Sequence, residues 1–463
     1  MQLAGTSLAR LQLALHPHAR KVRVFAGPGN NGGDGFVAAT CLAQVGRAVD
    51  VVFLGDPKRL PPDAARALAR AQASGVPISS SLELPTDADL HVDALLGLGA
   101  GRAADGSLAQ AIRLLNASAV PVISADLPSA LHADTGVAPG GLAVRASATL
   151  SLLTLKPGLF TGSGRDHAGD VWLDDLGVDA GAADAELAAA PLQAKSRAHA
   201  SHKGSFGDVA VVGGAPGMCG AALLAARAAL ACGAGRVYCS LLEECQATID
   251  IERVELMFRR RWWLSPPSVL ASTTVACGCG GGDTVAAALP PLLSHAARLV
   301  LDADALNAIG ADSQLATLLV ARARRGQGTI LTPHPLEAAR LLQMRSVDVQ
   351  ADRISAAQAL ARRFQSVVVL KGSGTCIASP DGLPVINASG NALLATAGTG
   401  DVLAGWTAGL WAQGASPRDA ACQAVWQHGR AADQAARDAQ VRPLLADDLI
   451  RHMAGAVRPA VQA

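Results

Sequence analysis

Short apolar runs alternate with amphipathic stretches along almost the whole chain. The runs lack the alternation of apolar and polar positions that marks a half-exposed strand, so they predict strands that are buried on both faces. The amphipathic stretches between them, such as residues 34–46 and 61–75, predict helices that end at glycine. Buried strands that alternate with helices predict an α/β fold in which each parallel sheet is covered on both faces.

The predicted strands form two groups. They are the runs 21–27, 49–55, 91–97 and 120–128, followed by 206–214, 236–242, 275–280, 298–304, 328–335 and 366–372. The segment between the groups is small and polar, and no run in it predicts a strand. We therefore predict two α/β domains, residues 1–182 and 200–463, joined by a linker at 183–199. The length of 463 residues also exceeds what one core usually holds.

Composition and charge exclude several classes of function. Half of the residues are apolar, 17% are charged, the net charge is +1 and only 3% are aromatic. Such a chain lacks the basic surface and the stacking platforms of a nucleic-acid-binding protein. The nine cysteines have no zinc-type spacing, and no secretory leader or membrane span is evident, which predicts a cytoplasmic protein with reduced thiols. A soluble metabolic enzyme or small-molecule binding protein is expected.

The run GPGNNGGDG, residues 27–35, directly follows the first predicted strand. Glycines let a phosphate reach backbone N–H groups, and the helix predicted to begin near Asp34 would add its positive end. Asparagine, carboxylate and hydroxyl oxygens also suit a hard cation, and Asp93 and Ser129 lie near the ends of two further predicted strands. The alternative is a glycine turn with Asp34 as a helix cap. The run matches neither the P-loop nor the dinucleotide fingerprint.

The run AGTGDVLAG, residues 397–405, carries the strongest chemical signal. Its glycines lead into an apolar helix whose free N–H groups would bind an anion, and Asp401 would stand beside that anion. A carboxylate in this position suits deprotonation of a hydroxyl during phosphoryl transfer. The alternative is again a helix cap with a glycine entry.

Three other predicted strands of the second group end in polar residues. Lys371, followed by glycines, suits nucleotide phosphates, and His334 between two prolines suits contact with a ligand. Asp302 and Asp304 would contact a magnesium-bearing nucleotide, although one of them could instead cap the following helix.

The segments GPGNNGGDGFVAATCL, VDALLGLG, ISADLPSALHADTG and SLLTLKPGL together resemble the epimerase domain of the NAD(P)H-hydrate repair enzymes. The resemblance implies a Rossmann-like three-layer domain that interconverts the R and S hydrates of NADH and NADPH and binds K⁺. Potassium would bind Asn31, Asp93 and Ser129, and proton transfer would fall to Asp126, with Lys156 nearby. The hydrated dinucleotide would contact Asn30, Asn31, Gly32, Gly33, Asp34, Gly97, Leu98, Gly99, Ala100, Gly101, Arg102, Ala103 and Asp126.

This first domain departs from the family pattern in three ways. Its N-terminal helical segment is shorter, His132 replaces an aspartate, and Ala130 replaces a glycine. The last change raises a question about the backbone, because alanine tolerates positive φ poorly.

The segments SHKGSFGDVAVVGGAPGMCGAALLA, LDADALN, LTPHPLEAARLL, VVVLKGSGTCIASPDG and ATAGTGDVLAG resemble the ADP- or ATP-dependent NAD(P)H-hydrate dehydratases, which have a ribokinase-like fold. The resemblance implies that Asp401 is the base and that Ala221, Gly282, His334 and Asp401 contact the hydrated cofactor. The adenine nucleotide would bind to Lys371, Gly372, Ser373, Gly374, Thr375 and Gly400. Three positions depart from the pattern: Leu336, Leu393 and the turn GCGGG at 278–282, which replaces Gly-Pro-Gly-Leu-Gly.

Together the two resemblances imply one repair enzyme with isomerase and lyase activities. It would use K⁺ in the first domain and Mg²⁺ with ADP or ATP in the second, and it is expected to form a homo-oligomer. The main alternative is a ribokinase-like small-molecule kinase with a non-catalytic N-terminal nucleotide-binding domain. A Rossmann dehydrogenase is disfavoured, because the dinucleotide fingerprint with its ribose-binding acid is absent.

Overall fold

The computed structural model describes residues 1–82, 87–99, 101–179, 181–190, 197–242, 249–438 and 442–456. The chain divides into two compact units, Met1–Ala183 and Asp184–Ala463. Part of the predicted linker belongs to the second unit, because residues 186–187 form a strand that pairs with residues 385–386. The expectation of a strand-free linker was therefore wrong: two residues suffice to extend an existing sheet edge without an apolar run.

The first unit is a parallel sheet with helices on both faces, which confirms the predicted class. Its elements are α1 (Gln2–Leu15), β1 (Lys21–Ala26), α2 (Asn30–Gln44), β2 (Ala48–Phe53), α3 (Pro62–Ala73), β3 (Ile78–Ser79), β4 (Leu90–Ala94), α4 (Gly106–Ala117), β5 (Val122–Ala125), β6 (Ala148–Leu152), α5 (Gly164–His167) and β7 (Asp170–Asp174). Successive residues of β1 enter opposite cores: Val24 packs with α1, α2 and α3, and Phe25 packs with α4.

The strand order of this sheet is β3-β2-β1-β4-β5-β6-β7. The chain reverses its direction of winding between β1 and β4, where the two strands pair in parallel. Ligands of open α/β sheets bind beyond the carboxyl ends of the strands at such a switch point. The loops that follow β1, β4 and β5 are therefore the place to look for a site.

The glycine-rich run after β1 is mostly inside a helix. Helix α2 begins at Asn30 rather than near Asp34, with Gly29 as its N-cap. A Cβ on Gly27 would lie 1.7 Å from the Leu95 carbonyl oxygen, and one on Gly32 would lie 2.1 Å from the Gly27 carbonyl oxygen. The prediction that α2 starts near Asp34 was wrong, because these glycines let the turn after β1 lie against Leu95 and let the first turn of α2 pack directly on that turn.

Serine substitutions at Gly32 and Gly29 should separate this packing role from local conformational effects. Gly32→Ser is expected to lower the melting temperature of the first unit, because an overpacked core site costs about 1–3 kcal/mol. Gly29→Ser is the matched control: no atom lies within 4 Å of its Cβ position, and serine is a favourable N-cap. Thermal unfolding of the two variants should differ clearly, and equal melting temperatures would contradict the packing role.

The second unit has a longer sheet. Its elements are β8 (Glu186–Leu187), β9 (Asp208–Gly213), α6 (Cys219–Cys232), β10 (Arg236–Leu241), β11 (Met257–Phe258), α7 (Pro267–Ser272), β12 (Thr274–Cys277), α8 (Leu289–His295), β13 (Arg298–Leu301), α9 (Ala303–Ala311), α10 (Ser313–Arg324), β14 (Gly328–Leu331), α11 (Pro335–Leu342), α12 (Ser346–Ala351), α13 (Arg353–Phe364), β15 (Val367–Leu370), β16 (Thr375–Ala378), β17 (Val385–Asn387), α14 (Thr399–Ala412), α15 (Pro417–Arg437) and α16 (Ala446–Ala456).

The strand order of this sheet is β11-β10-β9-β12-β13-β14-β15-β16-β17-β8. Strands β9 to β15 run parallel, and β16 pairs antiparallel with both of its neighbours. Helix α14 packs closely on α6, where a Cβ on Gly405 would lie 1.9 Å from the Ala225 carbonyl oxygen. This close approach directs the start of α14 toward the ends of β12 and β13. Among the described residues, no helix is both long and apolar enough to cross a membrane.

Candidate functional site

A carboxylate and an ammonium group are in direct contact at the end of β5. Asp126 has φ of 65°, which is unusual for a residue other than glycine. Its carboxylate forms a short contact with Lys156 Nζ and also accepts a hydrogen bond from the Leu152 backbone N–H at 3.2 Å. Lys156 Nζ donates a further bond to the Leu152 carbonyl oxygen at 2.6 Å. The two predicted proton-transfer residues thus form one polar pair in a largely buried position.

Asp93 lies on the neighbouring strand β4, opposite Ser124 of β5, and is completely buried. Its carboxylate accepts four hydrogen bonds: from Ser129 Oγ at 2.5 Å, from the Ser129 N–H and Ser124 Oγ at 2.8 Å each, and from the Leu95 N–H at 3.2 Å. All four donors are neutral, and burial raises the pKa of Asp93 above its ordinary value. A cation nearby would compensate the buried charge.

The alanine that replaces a family glycine keeps the left-handed backbone. Ala130 has φ of 69° and is fully buried. It follows Ser129, whose N–H and Oγ both bind Asp93. These bonds hold the turn in a conformation that alanine adopts only at an energetic cost.

Asn31 and Asp34 bring unsatisfied polar atoms into the same region. Asn31 Nδ2 and Asp34 Oδ1 are buried and have no hydrogen-bond partner in the described part of the chain, although Asp34 Oδ1 lies 3.8 Å from the N-terminal ammonium nitrogen. Asn31 and Asp126 both lie within 3.7 Å of the position that a Cβ on Gly97 would occupy. Burial, together with repulsion from Asp126, raises the pKa of Asp34 to about 7, although the N-terminal ammonium opposes the rise. Unsatisfied polar atoms of this kind are expected where a ligand binds.

The other predicted dinucleotide contacts have mixed positions. Gly32 and Gly33 are buried inside α2, whereas Asn30 is exposed. Leu98, Gly99, Gly101, Arg102 and Ala103 are exposed in the loop that follows β4, and Ala100 lies outside the described residues. The structure therefore brings together Asn31, Asp34, Gly97, Asp126 and Lys156, and leaves the rest of the loop at the rim.

The second unit has a comparable ion pair at the end of β13. Lys371, which follows β15, donates to Asp302 Oδ1 at 2.5 Å, and Thr332 Oγ1 donates to the same oxygen at 2.7 Å. Burial alone would lower the pKa of Lys371, but the carboxylates of Asp302 and Glu337 outweigh it and raise that pKa. Asp302 makes no capping hydrogen bond to α9. Its side chain faces the site, so the capping alternative is wrong for Asp302.

Asp401 lies in the first turn of α14, close to this ion pair. A carboxylate oxygen of Asp401, one of Asp302 and Cys279 Sγ all lie within 4.8 Å of one another. Burial raises the pKa of Asp401 to about 7, and repulsion from Asp302 adds to the rise. The N-cap of α14 is Gly398, with φ of 90°, and Asp401 makes no capping bond. The capping alternative is therefore wrong for Asp401 too.

The start of α14 is held by a histidine from α15. His428 Nε2 lies 2.9 Å from the Thr399 carbonyl oxygen. Burial lowers the pKa of His428 to about 4, so the imidazole is neutral near pH 7 and donates its Nε2–H to that carbonyl. His428 thus positions the backbone beside Asp401.

Acidification should test this contact. The pKa of His428 is lower in the folded protein than its ordinary value of 6.5, so its stabilising effect is complete above pH 6.5 and is lost as the pH falls toward 4. The wild type should lose about 2 kcal/mol more stability than His428→Gln between pH 7 and pH 5. Glutamine keeps an amide donor and does not titrate. Parallel melting curves of the two proteins over that interval would contradict this assignment.

His334 begins α11 and is held by a reciprocal cap. Its Nδ1 accepts the N–H groups of Leu336 at 3.0 Å and Glu337 at 3.4 Å, and Glu337 Oε2 accepts the His334 N–H at 2.8 Å. Because Nδ1 is an acceptor, the proton of the neutral ring resides on Nε2. Burial, together with the charge of Lys371, lowers the pKa of His334. Nε2 lies 3.1 Å from Glu337 Oε1, so its N–H donates to that carboxylate while the ring remains partly exposed.

The predicted nucleotide contacts surround Lys371. A Cβ on Gly400 would lie 3.5 Å from Lys371 Nζ, so these two residues meet although they are far apart in sequence. Gly372 and Ser373 are exposed, Thr375 is partly buried and Gly374 is buried. The buried Arg353 donates to the carbonyl oxygens of Leu370 and Lys371 at 3.1 Å each, and thereby fixes this turn.

Ala221 and Gly282 lie at the turn that follows β12. A Cβ on Gly280 would lie 2.9 Å from Ala221 Cβ, and Gly282, with φ of 51°, donates its N–H to Asp304 Oδ2 at 2.9 Å. Asp304 thus binds the glycine turn rather than a helix end.

Sequence reasoning missed three residues of this site. Glu337 was detectable, because an acid three residues after a helix start indicates a reciprocal cap. Cys279 was noted only as part of an unusual turn, and His428 lies in the middle of a long helix. No local pattern in the sequence marks the last two.

Comparisons with known proteins agree with this geometry. A family model described as NAD(P)H-hydrate dehydratase matches residues 209–454, and one described as YjeF-related protein N-terminus matches residues 1–158. The chain is 36% identical over 473 residues to the bifunctional NAD(P)H-hydrate repair enzyme Nnr of Escherichia coli (strain K12), covering 100% of this chain and 90% of that protein. Its identity to the enzyme of the same name from Coxiella burnetii is 36% over 470 residues, covering 98% and 94%.

Among solved structures, the second unit is similar to an ADP/ATP-dependent NAD(P)H-hydrate dehydratase from Bacillus subtilis that was co-crystallized with ATP/Mg²⁺. The identity is 31% and the TM-score 0.49, and the match covers 57% of this chain and 93% of that one. The two family models and the full-length relatives provide independent support for the same assignment. The chain therefore belongs to the family of bifunctional NAD(P)H-hydrate repair enzymes.

Proposed function

We propose that this chain repairs hydrated NADH and NADPH in two steps. The first unit would interconvert the R and S hydrates, and the second would dehydrate the S form at the expense of ADP or ATP. One observation carries the proposal: Asp401 lies at the start of α14 beside the Asp302–Lys371 ion pair. A carboxylate, an ammonium group and free helix N–H groups at one point suit phosphoryl transfer to a hydroxyl.

The dehydration follows from the chemistry of the hydrate. Hydroxide is a poor leaving group on C6 of the nicotinamide ring. Asp401 would take the hydroxyl proton as the terminal phosphoryl group of the nucleotide forms a bond to that oxygen and its bond to the nucleotide breaks. Cleavage of the C6–O bond then releases phosphate, and loss of a ring proton restores the dihydropyridine. A well-placed general base contributes about 10²–10⁴-fold to such a rate.

Nucleotide binding would fall to the residues around Lys371. We assign the phosphates to Lys371, to the turn residues Gly372, Ser373, Gly374 and Thr375, and to Gly400. The hydrated cofactor would contact Ala221, Gly282, His334 and Asp401. The partly exposed ring of His334, which the cap of α11 holds in place, supports a contact with that substrate.

Magnesium would enter with the nucleotide. The carboxylates of Asp302 and Asp304 fit it, because Mg²⁺ prefers oxygen ligands and usually binds through one or two carboxylates together with substrate phosphates. When bound, the ion would neutralise charge on the phosphates. Lys371 already holds one oxygen of Asp302, so the second oxygen remains available.

In the first unit we assign proton transfer to Asp126, with Lys156 as its partner. Potassium would bind among Asn31, Asp93 and Ser129. The buried Asp93 carboxylate, whose hydrogen-bond donors are all neutral, supports a cation there. The dinucleotide would contact Asn30 to Asp34 and the loop from Gly97 to Ala103. A cytoplasmic location and homo-oligomeric assembly are also proposed.

A single incubation tests the proposed function. The purified chain is mixed with both hydrates of NADH, ADP or ATP, Mg²⁺ and K⁺, and the return of NADH absorbance is followed. Complete conversion faster than spontaneous epimerisation would support both activities, whereas arrest near half conversion would indicate an inactive first unit. A stable phosphorylated product without NADH would indicate a small-molecule kinase instead.

A further inference from the structure

Cys279 brings a thiol into the carboxylate cluster of the second unit. Its carbonyl oxygen accepts the Gly214 N–H at 2.9 Å, which ties the turn after β12 to the end of β9. The side chain is buried, and Sγ lies within 4.8 Å of carboxylate oxygens of Asp302 and Asp401. Within the described ranges this is the single set of three histidine, cysteine or acidic side chains that converges so closely.

The thiol of Cys279 gives these three side chains a preference for a metal ion other than Mg²⁺. Mg²⁺ binds oxygen, whereas a thiolate selects softer ions such as Zn²⁺ and Cd²⁺. Zn²⁺ takes a sulfur ligand at about 2.3 Å and carboxylate oxygens at about 2.0–2.2 Å in a tetrahedral arrangement. Cys279 Sγ and one oxygen each from Asp302 and Asp401 provide three ligands of these types, which leaves a fourth position for water.

The surrounding charge favours a divalent cation. Asp302, Asp304 and Asp401 face one ammonium group, Lys371. Lys371 binds Asp302 Oδ1, whereas Asp302 Oδ2 lies 4.0 Å from the position of a Cβ on Gly400 and thus faces the start of α14. The free oxygen of Asp302 is therefore on the same side as Asp401.

We propose that Cys279, Asp302 and Asp401 form a binding site for a thiophilic divalent cation, typified by Zn²⁺. Binding replaces the thiol proton, which passes to solvent, with a metal–sulfur bond. The bound ion occupies the carboxylate of Asp401 and therefore inhibits dehydration; this inhibition rests on the proposed function, whereas the binding does not.

Cadmium provides a direct optical test of binding. The reduced, metal-free chain is titrated with Cd²⁺, and the cadmium–thiolate absorbance band in the ultraviolet is recorded. Cys279→Ser and Cys279→Ala should each lose one tight equivalent of that band, whereas Cys41→Ser, which removes a thiol from the first unit, should keep it. Asp302→Asn should weaken the same equivalent about 10-fold or more. An unchanged tight equivalent in both Cys279 variants would overturn the proposal.

Inhibition by zinc is measured separately. Each variant is assayed for dehydration with Mg²⁺ and increasing Zn²⁺, and its rate is expressed relative to its own rate without Zn²⁺. Cys279→Ser should need at least about 10-fold more Zn²⁺ for half inhibition than the parent, and equal sensitivity would refute the inhibitory role. A chain without any dehydratase activity would refute the proposed function, while the cadmium titration would still decide the metal site.

Discussion

Asp401→Asn is expected to reduce nucleotide-dependent dehydration by about 10²–10⁴-fold in kcat, the contribution of a general base. Asparagine has the same shape and removes only the ability to accept the proton. It also removes the repulsion between Asp401 and Asp302 that contributes to the raised pKa of Asp401. The variant should therefore fold at least as stably as the parent, and the loss should appear in kcat more than in KM. The measurement is the initial rate of NADH formation from the S hydrate.

The matched control is Asp283→Asn, which makes the same substitution at an exposed position beside Gly282. Its dehydration rate should remain near that of the parent. Epimerisation by Asp401→Asn should also be unchanged, because Asp126 and Lys156 lie in the other unit. If Asp401→Asn repairs the hydrate as fast as the parent does, the carboxylate is not the base and the proposed phosphoryl transfer must be abandoned.

Asp126→Asn is expected to reduce enzymatic epimerisation by about 10²–10⁴-fold. Asparagine tolerates the left-handed conformation that Asp126 adopts at φ of 65°, so the turn should persist. Lys156 keeps its bond to the Leu152 carbonyl oxygen but loses the carboxylate with which it would share a proton. The measurement is consumption of the R hydrate, corrected for spontaneous epimerisation.

Asp134→Asn, an exposed substitution a few residues further along, serves as the control. With a mixture of hydrates, the control should convert both forms, whereas Asp126→Asn should slow sharply once the S form is consumed. Full conversion by Asp126→Asn at the parent's rate would assign the first unit a binding role only. The rate of dehydration of the pure S form should be equal in the parent, Asp126→Asn and Asp134→Asn.

The location of the run GPGNNGGDG was predicted correctly, but the predicted role of its glycines was incomplete. Its position after a buried strand correctly predicted a place at the carboxyl edge of the sheet. The glycines themselves serve another need as well: Gly27 and Gly32 let α2 pack against backbone oxygens. Sequence alone cannot distinguish a glycine that admits a ligand from one that admits a neighbouring helix, because both need only the absence of a side chain.

The aspartates after β13 and at the start of α14 show a similar limit. Their spacing in sequence fits a helix cap as well as a site, and both alternatives were open. The structure decides between them through distant partners, since Lys371 and Thr332 both bind Asp302. Local patterns carry no information about such partners.

By itself, the sequence determined the class of fold and the strands with a clear apolar run, because burial on both faces imposes such a run on a strand and a period on each helix. It also identified the predicted strands that end in polar residues suited to binding or catalysis. It did not mark strands such as β6, β7, β16 and β17. Only the tertiary structure decided which of the polar strand ends meet: Asp302 and Lys371 are 69 positions apart yet bonded, and Cys279 Sγ lies within 4.8 Å of a carboxylate oxygen of Asp401. The physical reason is that strand order and helix packing bring these side chains together, and no local periodicity encodes them.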